Sequence, residues 1–161
     1  METVAIFVDV QNIYYTCKHR YQKHFNYSAF WQQATADRQV IAAFAYATER
    51  GDAKQQSFQQ ILKQLGFQVK LKPFIQRRDG SSKGDWDVGI TLDVVEFAEQ
   101  VDVVILLSGD GDFAMLLEKV RDKFAIKSEV YGVSSLTAAA LIHACDRFVP
   151  ITETLLLWTG W

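Results

Sequence analysis

The stretch "VVILLSGDGDFAMLLEKV", residues 103–120, decides how this chain is organised. Its first five residues are all aliphatic, the texture of a strand buried on both faces. The run halts at Ser108, and Asp110 and Asp112 follow with only Gly111 between them. From there Phe113, Leu116, Leu117 and Val120 recur at helical spacing. The stretch therefore predicts a strand over 101–108, a glycine-bearing acidic turn and a helix over 112–124. Two carboxylates at the mouth of a core repel each other unless something positive sits between them. A metal ion would answer that need, and water is the plainer alternative.

The same alternation extends in both directions. "TVAIFVDV" (3–10) reads as a second fully buried strand. "QVIAAFAYAT" (39–48) has strand texture, although its alanines leave a helix open. A helix over 53–66 places Phe58, Ile61, Leu62 and Leu65 on one face and stops at Gly66. "FQVKLKPF" (67–74) alternates apolar and polar residues, as a strand near a sheet edge does. The polar, glycine-bearing residues 75–87 predict a loop, and 87–100 an amphipathic helix opening on carboxylates. A strand over 126–133, a helix over 135–146 and a strand over 147–151 complete the pattern. The least legible part, 18–38, is expected to hold one short helix around Ser28–Gln33. Strand–helix alternation of this kind implies a three-layer α/β/α fold around a mostly parallel, Rossmann-like sheet. The expected organisation is one domain over 1–152 with an apolar tail over 153–161, where Leu155, Leu156, Leu157, Trp158 and Trp161 form a candidate contact surface.

The totals exclude several classes. The 161 residues suffice for one core, and a net charge of −2 argues against holding nucleic acid by bulk electrostatics alone. Cys17 and Cys145 lack the spacing of a zinc site or a disulfide framework, so a reducing, cytoplasmic setting is expected. His19, His24 and His143 share no metal-ligand spacing. Nothing looks like a signal peptide, and no apolar run approaches the ~18 residues of a membrane span. A homodimer is compatible with the near-neutral charge and the apolar end.

In open parallel sheets, sites form beyond the carboxyl ends of the strands. Asp9, with Asn12 after it, ends the first strand, and Ser108, Gly109, Asp110 and Asp112 end the strand at 101–108. The helix from 87 can add Asp87, Asp85 and, further along, Asp93. All-oxygen donors of this kind suit Mg²⁺ or Mn²⁺, which orient and deprotonate a water for attack on a phosphodiester. Gly109 and Gly111 are expected to supply backbone freedom for a tight turn. Each acid also has a plainer role: Asp110, Asp112, Asp85 and Asp87 as helix caps, Asp93 as a solvated surface residue. Arg77, Arg78 and Lys83 would hold substrate phosphates, and Trp86, Tyr14 or Tyr15 would stack on bases. The alternative is a solvated loop with Trp86 folded inward. Lys18, His19, Arg20 and Lys23 form a second basic stretch.

Three blocks, "VAIFVDVQNI" (4–13), "KGDWDVGITLDVVEFA" (83–98) and "VVILLSGDGDFAMLLEKVR" (103–121), resemble in order the signature blocks of the NYN domain. This PIN-like group takes in the LabA and DUF88 proteins, and the resemblance runs from about residue 4 to 151. It implies a PIN-like fold and a metal-dependent ribonuclease, with Asp9, Asp87, Asp110 and Asp112 as metal-holding acids. It likewise implies Asn12 as the polar companion after the first strand, Asp93 as the acid within the helix, Ser108 steadying the turn and Lys83 opening the middle block. The middle block departs from the family pattern: two residues, Asp85 and Trp86, stand where one is usual. Asp87 keeps the spacing to Val88 and Asp93, and Asp85 remains an alternative ligand.

The expected function is thus Mg²⁺- or Mn²⁺-dependent hydrolysis of RNA, single-stranded or looped. The alternative is a non-catalytic RNA- or protein-binding module on the same fold. A phospho-aspartate phosphatase fits less well because the first strand lacks a paired Asp-x-Asp. No P-loop occurs, and nothing resembles a Gly-x-Gly-x-x-Gly dinucleotide turn after the first strand.

Overall fold

The computed structural model describes residues 1–49, 51–73, 75–76, 82–83 and 86–158. Along the chain run β1 (Glu2–Asp9), α1 (Val10–Tyr21), α2 (Tyr27–Thr35), β2 (Arg38–Glu49), α3 (Ala53–Leu65) and β3 (Gln68–Pro73). Then come the short strands β4 (Ile75–Gln76) and β5 (Ser82–Lys83), α4 (Asp87–Ala98), β6 (Val103–Leu107), α5 (Phe113–Phe124), β7 (Lys127–Gly132), α6 (Ala139–Ala144) and β8 (Arg147–Pro150). Single 3-10 turns occupy Ser134–Leu136 and Glu153–Leu155.

Val4 to Val8 are all completely buried, as in a strand covered on both faces. β1 accordingly lies inside a six-stranded sheet of order β3-β2-β1-β6-β7-β8, parallel throughout. Alternate side chains go to opposite layers. Val4, Ile6 and Val8 pack with α1, α2 and α3 residues such as Ile13, Phe30 and Leu62. Ala5 and Phe7 pack with Ile90, Val94, Phe113 and Leu117 of α4 and α5. This is the three-layer α/β/α arrangement expected, and each fully buried aliphatic side chain contributes about 1.5–3 kcal/mol.

The amino-terminal edge of the sheet is tied shut by polar contacts. Arg38 donates two hydrogen bonds to the Glu129 carboxylate, at 3.0 and 2.5 Å, and a third to Glu2 at 2.8 Å. These bonds hold the Arg38 guanidinium further into its charged range than usual. Asp102 accepts from both the Thr3 amide and its hydroxyl. The opposite, carboxyl edge carries the candidate site. There the chain turns back on itself: β1 is followed outward by β2 and β3, β6 by β7 and β8, so β1 and β6 flank the switch point.

Several details differ from the sequence expectation. A whole helix, α1, begins at Val10 directly after Asp9, where the strand was expected to continue, and α2 follows it. The stretch expected to be a loop over 75–87 contains the antiparallel β4–β5 pair. The helix expected over 135–146 is a 3-10 turn plus the six residues of α6. Ile61 is 47% exposed, and Gln59 takes the inward position beside Phe58 and Leu62. Cys145, whose alanine-rich surroundings in the sequence suggest a buried small apolar residue, is only half-buried, whereas Cys17 is fully buried and its thiol is pushed up to about 12 by that burial.

The apolar end is no loose appendage up to residue 157. Leu155 and Leu156 belong to the core, Phe25 bridges to Leu156, and the Leu157 amide donates to the His24 carbonyl at 2.8 Å. Trp158 is 82% exposed under the Lys23 ammonium, and Trp161 lies outside the described residues.

Candidate metal centre at the carboxyl edge

Strand pairing sets Val8 beside Leu107, so the residues that follow, Asp9 and Ser108, meet where β1 and β6 end. Ser108 is completely buried; its Oγ donates to Asp9 Oδ2 at 3.0 Å and accepts the Asp110 amide at 3.2 Å. One hydroxyl thus links the acid of the first strand to the backbone of the acidic turn. Asn12, on the first turn of α1, accepts the Gly109 amide on Oδ1 at 2.9 Å. Asp110 Oδ1 accepts the Asp112 amide at 2.9 Å, closing a local side-chain turn.

Three carboxylates converge beyond these contacts. One oxygen from each of Asp87, Asp110 and Asp112 lies within 4.8 Å of the others, Asp112 being exposed and the other two half-buried. Asp87 is the first residue of α4; Asp112 sits at the start of α5, yet its side chain makes no capping bond there. Plain side-chain capping of α5 therefore does not account for the position of Asp112. No salt bridge reaches Asp110 or Asp112 among the described residues. Two oxygens on opposite sides of one Mg²⁺ or Mn²⁺ are separated by roughly 4.2 Å, close to the span of this set. The donor set fits a hard divalent cation. A hollow of about 200 Å³ opens beside it, walled by Asp87, Thr91, Leu92 and Asp112.

Asp9 falls outside that mutual set and lies one step deeper, 9% exposed and bound to Ser108. Burial, with smaller contributions from the charges of Cys17 and Asp9, holds the neighbouring Tyr27 hydroxyl well above its usual range. Asp93 is elsewhere. Its Oδ2 accepts from Lys70 Nζ at 2.6 Å and from the Tyr46 hydroxyl at 2.7 Å, and Lys70 stands over the Phe44 ring. Burial, then the Asp93 bond and charge, pushes the Tyr46 hydroxyl far up.

Trp86 is folded onto the protein. Its Nε1 donates to the Ala47 carbonyl at 3.0 Å, its ring meets Tyr46, and Lys72 covers it at 4.5 Å. Gly89 makes room: a Cβ there would lie 2.6 Å from the indole. Arg77, Arg78 and Asp85 lie outside the described residues, and of Lys83 only the backbone is described.

The glycines of the turn serve close approach instead of the backbone freedom expected. Neither Gly109 nor Gly111 is among the positive-φ residues. A Cβ on Gly109 would lie 2.5 Å from the Leu136 carbonyl oxygen, and one on Gly111 2.8 Å from Ala138 Cβ. Gly132 would likewise strike Thr137 Oγ1. The segment 136–138 therefore presses against the acidic turn, and Ala138 donates to the Gly109 carbonyl at 3.0 Å. Sequence reasoning missed this strap, because Gly109, Gly111 and Gly132 meet it only in the folded chain.

Comparisons with known proteins bear on the family and the fold. The chain is 26% identical over 161 residues to the low amplitude and bright protein LabA of Synechococcus elongatus, covering 93% of this chain and 84% of that one. A crystal structure of a protein of unknown function from Vibrio parahaemolyticus superposes with a TM-score of 0.93 at 54% identity, over 97% and 96% of the two chains. A ribokinase from Giardia lamblia shares the general fold alone, with a TM-score of 0.51 at 12% identity, over 92% of this chain and 57% of that one. Residues 3–153 match the NYN domain, and the chain belongs to that family.

Proposed function

We propose that the protein is a divalent-metal-dependent ribonuclease whose centre is the acidic set at the β1–β6 switch point. The observation that carries this is the approach of Asp87, Asp110 and Asp112 to within 4.8 Å on a nuclease-like fold. These three would hold Mg²⁺ or Mn²⁺, with Asp9 beneath them fixing Ser108 and adding negative charge to the site. When bound, the cation supplies Lewis acidity toward the phosphodiester and lowers the pKa of a nearby water. Asn12 and Ser108 act as positioning residues, because their bonds go to Gly109, Asp110 and Asp9. Asp93 is assigned to the Lys70–Tyr46 pair and a structural role. RNA strands, single or looped, are the proposed substrate, gripped in part by Arg77, Arg78 and Lys83. Among the described residues no helix is long and apolar enough to cross a membrane.

The non-catalytic alternative drew on the leucines near the chain end, and the burial of Leu155 and Leu156 removes much of that support. End-labelled single-stranded RNA incubated with Mn²⁺ or Mg²⁺ tests the proposal directly. Cleavage by the wild type, abolished by EDTA and by Asp110→Asn, is the expected result. RNA left intact at saturating metal would overturn it and favour the binding module.

A further inference from the structure

Across β1 from the acids, a second site is built where β2 ends. α1 rises from Val10, α3 starts at Ala53, and between them lies a cleft of about 410 Å³. That volume falls in the range of small-molecule sites. α1 contributes Gln11, Tyr14 and Tyr15 to one wall, and α3 contributes Lys54, Gln55 and Phe58 to the other. Neither cluster belongs to the metal centre.

The lining combines aromatic surface with fixed polar groups. Tyr15 is 47% exposed and stands edge-on to Tyr14, with ring centroids 5.3 Å apart. Tyr14 in turn stacks on His24 at 5.5 Å, and the buried Phe58 closes the side toward the core. The Gln55 side chain is held by the Thr48 carbonyl, which fixes its amide in the wall. Asp52, the N-cap of α3, accepts the Gln55 backbone N–H on a carboxylate oxygen. Among the described residues, Lys54 lines the cleft along with the Asp52 carboxylate, and Lys18 lies over the Tyr14 ring. Burial first, and then the charges of Lys18 and Lys54, lower the pKa of His24. An aromatic platform, a positioned amide and positive charge together suit a flat heteroaromatic ring carrying phosphate.

Position connects this cleft to the metal centre. Asp9 pairs in register with Tyr46 of β2 on one side, and β1 borders β6 on the other. Two strand spacings amount to roughly 10 Å. A nucleic-acid strand covers that span in about three nucleotides at the duplex rise of roughly 3.4 Å, and in fewer when extended.

We propose that the Tyr14–Tyr15–Phe58 cleft is a nucleobase subsite, in which Tyr15 stacks on one base of the substrate strand and Lys54 meets that nucleotide's phosphate. The assignment of the ring to an RNA strand rests on the ribonuclease reading. A free mononucleotide carries the same chemistry, so the test separates the two sources.

Calorimetric titrations in EDTA, with AMP, UMP and a single-stranded RNA hexamer as probes, compare wild type with Tyr15→Ala, Lys54→Glu and Asp110→Asn. Tyr15→Ala should weaken RNA binding by roughly 5- to 150-fold, the loss of one stacked base. Lys54→Glu should weaken it as well, whereas Asp110→Asn should not. Because Tyr15 is half-exposed, its variant should keep the wild-type melting temperature, which separates lost contact from lost fold. Hexamer binding tighter than that of AMP or UMP supports a strand base. Equal binding of AMP and hexamer, both sensitive to Tyr15, supports a free nucleotide in the same cleft. Binding of no probe, or RNA affinity indifferent to both Tyr15 and Lys54, overturns the subsite. Mn²⁺ titration of wild type and Asp110→Asn in the same preparations judges the metal centre independently.

Discussion

Asp110→Asn should make the metal-free protein more stable. The substitution removes one of three carboxylates whose oxygens lie within 4.8 Å of one another. At that separation a like-charge pair costs about 0.9 kcal/mol at the dielectric constant of water and about 3.5 kcal/mol at an effective value of 20. Asp112 is exposed and its partners half-buried, so the lower figure governs, and two relieved pairs yield about 2 kcal/mol. Losing a negative charge just ahead of α5 offsets about 0.3–1 kcal/mol of this. Asparagine retains an Oδ1 to accept the Asp112 amide, so the turn itself is kept. The net gain is about 1 kcal/mol, or roughly 3 °C in melting temperature for a domain of this size. Saturating Mn²⁺ should invert the order, because at a hundredfold excess over Kd the wild type alone gains about 2.7 kcal/mol. Urea unfolding of both proteins, in EDTA and then in Mn²⁺, reads both effects. A less stable Asp110→Asn in EDTA, or a wild type indifferent to Mn²⁺, would refute the electrostatic account of the cluster.

Other perturbations probe separate parts of the structure. Gly109→Ala should cost about 1–3 kcal/mol in urea unfolding, because the new methyl meets the Leu136 carbonyl oxygen; an unchanged midpoint would mean that the strap yields. Leu156→Ala should cost about 2–5 kcal/mol, which a removable tail would not. Asp93→Asn should leave Mn²⁺ affinity in calorimetry within about twofold, as its carboxylate serves Lys70 and Tyr46; a loss of tenfold or more would place it in the metal centre. The Thr3 amide and hydroxyl hold the Asp102 carboxyl below its ordinary range. The stability this provides is present above the unfolded-state pKa, near 3.8, and is lost as pH falls through the lower folded value. Acid unfolding of Asp102→Asn should therefore lack that part of the slope.

Much of this arrangement was legible because it rests on local pattern. The unbroken aliphatic runs of β1 and β6 mark central strands, and the residues just past them fall at the carboxyl edge by topology alone. α1 was not legible for a physical reason. It starts on the residue after β1 without a side-chain cap, and its Val10, Ile13, Tyr14 and Tyr15 carry strand-like texture. Spacing along the sequence also cannot reveal partners supplied by other segments. Asp93 looks like a site acid until Lys70, from β3, is seen to claim it, and Trp86 looks available until Lys72 and the Ala47 carbonyl are placed around it. Gly109 and Gly111 stand out in the sequence, but their purpose depends on a strap more than twenty residues later.

That strap has a consequence for how the centre varies. The contact between segment 136–138 and the acidic turn is made by backbone and small side chains, so its geometry does not depend on any charge being neutralised. The same contact turns a chemically silent segment into a remote adjuster. A bulkier residue at 137 or 138 would shift Asp110 and Asp112 without touching either, altering the coordination geometry while every proposed ligand stayed intact.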